Sequence, residues 1–302
     1  MQAAFASASK RSRRSTSLWR TLKRQASEMC VSSVREDLRE RVTDLAVANA
    51  MAITLLDDII DVDNDLQNFD RLSALYVERI GAARSGVEFD DRDEASQSQH
   101  ERALSTIGAA ICAAIDELPG ARELRSLLAF DLAQVMTAMR YDWLFREHKL
   151  SSSVEYLGLF HDFSITIVWV KTLELCASPS FDRSELSAVR ELALLTQRAW
   201  VYAADRTTWR TELAAGEWLC GAAKQAIVRG LLRWEDIEAE RCDTIAARVL
   251  SCGVLAVLDD EIEQCFARLE ARAPQLRSID GRAWVEGVRN VVALQRRADG
   301  RL

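Results

Sequence analysis

The chain has 302 residues, 49% hydrophobic and 28% charged, an ordinary globular balance with enough length for one large core. Its net charge of −7 argues against a whole-chain nucleic-acid footprint. No apolar run approaches the roughly 18 residues of a membrane span.

Residues 1–33 open the chain as a basic, Ser- and Ala-rich arm, with Lys/Arg clustered between Lys10 and Arg24 and no acid before Glu28. A flexible arm is the expectation, with a transit-type presequence as the alternative; no apolar segment follows the basic residues, so a secretory leader is not expected. From residue 34 to 302 apolar residues recur every three or four positions, the helical period. The spacing predicts helices near 34–66, 70–82, 101–117, 121–148, 153–177, 183–211, 213–231, 234–249, 253–272 and 281–298. Pro119, Pro179 and Pro274 mark connections, because proline removes a backbone donor. Ser151–Ser153, Asp182 and Ser278 are the expected N-cap regions. The stretch 84–100 is polar and aperiodic and reads as a surface loop. No composition shift or repeat suggests a second domain, so the expected fold is an all-α, single-domain helical bundle with antiparallel neighbours.

The seven cysteines are scattered, with no CxxC or Cys/His cluster, and there are only three histidines. A zinc site is therefore not expected, and a reducing, cytoplasmic setting is.

Asp57, Asp58 and Asp61 form a DDxxD at the end of the apolar run from Ala50. Like charges one turn apart oppose each other, and acids near a helix C-terminus oppose its dipole. A cation would offset both costs, and hard divalent ions such as Mg²⁺ take carboxylate oxygens and bridge to phosphate. Asp57 and Asp61 share a helical face, and Asp65 would continue that row. A second acidic run, Asp259-Asp260-Glu261 with Glu263, opens no other motif and reads as a solvated face.

A further polar interruption of a buried-looking helix runs from Trp200 to Glu212. Asp205, Thr208 and Glu212 stand at i, i+3 and i+7, within one helical face. With the DDxxD, this stretch resembles the two metal motifs of class I terpene synthases, whose second motif has the form NDxxSxxxE. Asp205 matches the Asp, Thr208 the Ser and Glu212 the Glu, whereas Ala204 stands at the metal-binding Asn position and cannot ligate. The segment Ala138–Trp143 followed by Val154–Leu157 is similar to the family stretch that ends in a diphosphate-contacting Arg; Phe160 takes that position here, beside His161. The C-terminal Arg301-Leu302 is similar to the Arg-Tyr pair of bacterial members. The resemblance covers about residues 40–302 and is nearest in texture to bacterial diterpene synthases.

The resemblance implies a Mg²⁺-dependent cyclase using three ions. Asp57, Asp58 and Asp61 would be its catalytic acids, and Asp57, Asp61, Asp205, Thr208 and Glu212 its metal ligands. Arg301, Arg210 and His161 would bind diphosphate, and Phe160, Phe163, Trp169, Trp200 and Tyr202 would line the cavity, each also readable as core. The implied substrate is a C20 prenyl diphosphate, linear geranylgeranyl or pre-cyclised bicyclic. Antiparallel dimers occur in this family, which makes a homodimer the family-implied partner. Two alternatives stand beside this reading: a degenerate homologue that binds a prenyl diphosphate or a partner without chemistry, and a chain-elongating prenyltransferase.

Overall fold

A computed structural model describes residues 5, 16–82, 98–148, 162–163, 165–217, 219–237 and 241–299. Among them are eleven α-helices and no strand. These are α1 (Thr16–Glu28), α2 (Arg39–Asp61), α3 (Leu66–Gly81), α4 (Gln99–Asp116), α5 (Ala121–His148) and α6 (Ile167–Cys176). They are followed by α7 (Leu186–Ala214), α8 (Gly221–Val228), α9 (Cys242–Ser251), α10 (Val254–Arg272) and α11 (Gly281–Asp299). No helix of the described residues is long and apolar enough to cross a membrane.

Two helices organise the bundle. α2 packs against α1, α3, α4, α5 and α6, whereas α7 packs against α6, α8, α9, α10 and α11. The short α6 touches α2, α5 and α7 and so joins the two groups. Its residues are buried on nearly every face, which is where an apolar-all-round helix belongs.

Buried ion pairs tie these helices together. Lys171 and Glu174 of α6 pair at 2.9 Å, both almost fully buried. The Lys171 ammonium also donates to the Met29 carbonyl, and Glu174 accepts from the Val31 amide at 3.0 Å. Asp131 of α5 takes a two-pronged contact from Arg190 of α7 at 2.7 and 3.0 Å and a 2.6 Å hydrogen bond from the Thr172 hydroxyl of α6.

The expected boundaries of α5, α10 and α11 agree with the structure to within a residue. The helix expected over 34–66 does not run through. α2 ends at Asp61, Asn64 takes φ 52°, and Asp65 caps α3 by accepting from the Asn68 amide at 3.0 Å. Asn adopts the left-handed region more readily than most residues, and Asp is a strong N-cap. Asp65 therefore leaves the Asp57–Asp61 row. The helix expected over 213–231 is likewise broken, by Gly216 at φ +86°, and α8 begins only at Gly221. The helix expected over 234–249 divides into a 3₁₀ turn, Trp234–Asp236, and α9.

The expected loop over 84–100 ends at Ser98, whose hydroxyl accepts from the Glu101 amide while Glu101 accepts from the Ser98 amide. That capping box starts α4 at Gln99. Asp182 caps as expected, at 2.9 Å to the Ser184 amide. Ser278 does not cap a helix; its amide and hydroxyl hold Glu185, and Asp280 caps α11 instead. Of the helix expected over 153–177, residues 153–161 lie outside the described residues, as does the N-cap region 151–153.

The segment expected as an arm contains α1, docked on α2 and α11. Trp19 is buried and meets Phe5 edge-on at 4.8 Å. Trp19, Leu22, Ala26 and Met29 recur at helical spacing beneath the basic residues, which accounts for the docking.

Candidate functional site

A cavity of about 390 Å³ opens where α2, α5, α7, α8 and α11 converge. α2 contributes Asp57, Ile60 and Asp61; α5 contributes Ala138, Met139 and Asp142; α7 contributes Trp200, Val201, Ala204 and Asp205. Lys224 of α8, Gln295 of α11 and Ile165 complete the described lining. Each set follows helical spacing, so one stripe of each helix faces the opening. Ile60, Met139, Val201 and Trp200 are the larger apolar side chains of the lining, and Asp57, Asp61, Asp142 and Asp205 are its acids.

Asp57 and Asp61 thus face the cavity as their i, i+4 relation predicts. Asp58 does not: it is fully buried with Ile59 in the core-facing side of α2 and is not among the lining residues. The 100° turn per residue carries adjacent acids to different faces.

Asp205 enters from α7. It accepts a 2.7 Å hydrogen bond from the Gln225 side chain. Burial pushes its carboxyl up to about 7, and the Gln225 hydrogen bond only partly opposes that. Gly221 presses on it so closely that a Cβ there would stand 2.3 Å from the Asp205 Oδ1. Glu212 lies one stage further out. It accepts from the Gly221 amide at 2.7 Å and pairs with the Thr208 hydroxyl. Thr208 is exposed, and neither Thr208 nor Glu212 lines the cavity.

Two cations hold the acidic lip, and the sequence reading did not single out either. Lys224 Nζ lies 2.8 and 2.9 Å from the two carboxylate oxygens of Asp142. Arg146, in the last turns of α5, pairs with Asp61 and reaches Asp142 at 3.5 Å. Burial would depress both basic groups, yet the aspartates around them raise them above their ordinary values. Both therefore stay charged at neutral pH. Ala138, Met139, Asp142 and Arg146 share one face of α5, a signal legible in the sequence once that face is known to be the inner one.

The other expected residues divide. Trp200 lines the cavity. Trp169 is fully buried in the core and is not in the lining. Tyr202 is buried beneath the Arg229 guanidinium, 5.6 Å from its ring, also outside the lining. Phe163 is half-buried and not in the lining. Arg210 is exposed and stacks 4.5 Å over the Trp209 ring. Phe160, His161 and Arg301 lie outside the described residues. Asp162, which follows His161 in sequence, pairs with Arg198 of α7 at 2.8 Å.

Asp57, Asp61 and Asp205 are the hard oxygen donors a divalent ion prefers, so the donor chemistry at the lip suits Mg²⁺. Ala204 offers only a methyl group there. Among the described residues, no group of three or more His, Cys, Asp or Glu side chains stands together as a metal-holding cluster. The second acidic run is spent on ion pairs: Asp259 with Arg206 and Arg296, Glu261 with Arg229 and Glu263 with Arg296. Comparison of the chain with family models, with curated proteins and with solved structures returns no match.

Proposed function

We propose that this protein is a Mg²⁺-dependent terpene cyclase that ionises a prenyl diphosphate, of C20 size, and guides the resulting carbocation to a cyclic product. One observation carries the reading: Asp57 and Asp61 on α2 and Asp205 on α7, far apart in sequence, line the same cavity, whose lining is otherwise mostly apolar. The size of that cavity lies within the roughly 300–1,000 Å³ of small-molecule sites.

Asp57, Asp61 and Asp205 would hold Mg²⁺, with Glu212 and Thr208 behind Asp205. Bound Mg²⁺ supplies Lewis-acid charge to the leaving diphosphate. As the C–O bond breaks, its electron pair leaves with the diphosphate and an allylic cation remains. Ile60, Met139 and Val201 exclude the water that would quench that cation. The Trp200 ring can stabilise passing positive charge by roughly 0.5–2 kcal/mol. Transfer of a proton from the final cation to the released diphosphate gives the alkene and closes the charge balance.

A second reading has its own support. Ala204 leaves one ligand position empty of oxygen, and Asp61 and Asp142 already hold protein cations. A protein of this kind would bind a prenyl diphosphate without ionising it.

The experiment is incubation of the purified protein with Mg²⁺ and prenyl diphosphates of ten to twenty-five carbons, followed by hydrocarbon extraction. The cyclase yields a product that disappears in Asp57→Ala. Mg²⁺-dependent diphosphate binding with no product at any chain length replaces it with the second reading. Absence of both binding and product discards both.

A further inference from the structure

We propose that a smaller cavity between α1, α2, α6 and α7 binds a short aliphatic alcohol, whose hydroxyl ties α1 to the start of α6. The cavity measures about 50 Å³. Its lining is mostly apolar, as at Leu22, Val47, Ile167 and Val170, and the Trp200 indole stands between it and the aspartate-bearing cavity. Neither metal nor diphosphate enters this site, which is independent of the function proposed above.

Three polar side chains join the lining: Gln25, Thr166 and Lys171. Lys171 is committed, since its ammonium reaches both Glu174 oxygens at 2.9 Å and the Met29 carbonyl. Gln25 is only 7% exposed, and its side-chain amide has no hydrogen-bond partner among the described residues. Thr166 holds the N-cap position of α6 without capping it; the Gln197 side-chain oxygen accepts from the Ile167 and Val168 amides instead, at 3.1 and 3.4 Å. The Thr166 hydroxyl is thereby left to the cavity. A buried amide that gives up its hydration without a partner is destabilising, and a guest that hydrogen-bonds Gln25 removes that loss.

Size and polarity select the guest. A water molecule needs about 10–15 Å³ of space and two to four polar partners, so the cavity has room for about three to five waters but polar partners for about one. A single hydroxyl on a short hydrocarbon body meets both conditions. Its O–H and lone pairs match the amide and the threonine hydroxyl, and its carbons remove apolar wall from water. An ionic guest would meet only neutral groups, because Lys171 is already paired. The hydroxyl would bridge Gln25 of α1 and Thr166 at the entry to α6, so that occupancy strengthens the docking of α1.

The test is nuclear magnetic resonance of the full chain, ¹⁵N-labelled at glutamine side chains and titrated with 2-methylpropan-1-ol. Gln25→Leu identifies the Gln25 amide signals by their loss. In wild type those signals should shift saturably, and the α1 backbone amides should exchange several-fold more slowly with the alcohol bound. Saturation transfer to the alcohol measures affinity in the variants. Thr166→Val, which keeps the side-chain shape, should bind about tenfold more weakly, the loss of one hydrogen bond, and Gln25→Leu should lose at least as much. Circular dichroism checks that each variant is folded. A Gln25 signal that does not move, or that shifts without saturating, overturns the site. Equal affinity in wild type and both variants overturns it too, since an apolar crevice alone would then account for binding. Saturable binding with unchanged α1 exchange overturns the tie between α1 and α6.

Discussion

Asp205 occupies a position where a charged carboxylate is costly. Burial raises its folded pKa to about 7 from an ordinary 3.8, so the folded state holds its proton longer than the unfolded chain does. The sign follows from linkage: its favourable protonated form is fully present below about pH 4, and that stability is lost as pH rises towards 7. Asp205→Asn should therefore be more stable than wild type at pH 8, by at most about 4 kcal/mol, with the advantage vanishing near pH 4. Urea denaturation at several pH values checks this, and a difference that does not grow with pH contradicts it. Gly221 is the complementary case. A methyl group there meets the Asp205 carboxylate, so Gly221→Ala should cost roughly 1–3 kcal/mol by overpacking, read as a lower denaturation midpoint. The DDxxD spacing drew attention to Asp57 and Asp61, and the family resemblance to Asp205. Neither showed that Asp58 turns inward, because that depends on which face of α2 meets the core.

At the scale of elements, the N-terminal segment is held by one buried pair. Lys171 and Glu174 of α6 each take a backbone partner from the chain just after α1, at Met29 and Val31. Replacing one member leaves the other buried and unpaired. Lys171→Met should cost about 3–5 kcal/mol and expose the Val31 amide to exchange earlier than the α7 amides. Hydrogen exchange is the measurement, and unchanged Val31 protection would count against this anchoring role. Beyond α1, helix existence was legible in the described bundle because the apolar period is long and regular. Helix ends were legible only where a local signal dominates, as at Gly120 before α5 or Arg272 at the end of α10. The breaks at Asn64 and Gly216 carry suitable residues, but an apolar period continuing past them hides the turn. α1 was hidden for the opposite reason: its basic composition masks a narrow apolar stripe.

For the whole molecule, Trp200 has a dual position. It lines the aspartate-bearing cavity and also a smaller one of about 50 Å³ walled by Leu22, Gln25 and Ala26 of α1 and by Met29 just after it, with residues of α2 and α6. The indole is thus a partition between two spaces. Trp200→Ala should join them and move binding preference towards longer prenyl chains, measured as relative affinities for a series of prenyl diphosphates. An unaltered preference would show that the smaller space does not communicate with the site.

The sequence by itself determined that this chain is helical, where most of its helices lie, and that two acidic motifs interrupt otherwise apolar stretches. Periodicity and composition are local properties, and a single sequence displays them directly. Only the tertiary structure decided that Asp57, Asp61 and Asp205 line one cavity, that Thr208 and Glu212 stand outside it, and that Lys224 and Arg146 pair with its aspartates. Lys224 meets Asp142 from 82 positions away, and Arg146 meets Asp61 from 85. Such pairings follow from how α2, α5, α7 and α8 pack, and no local spacing encodes them.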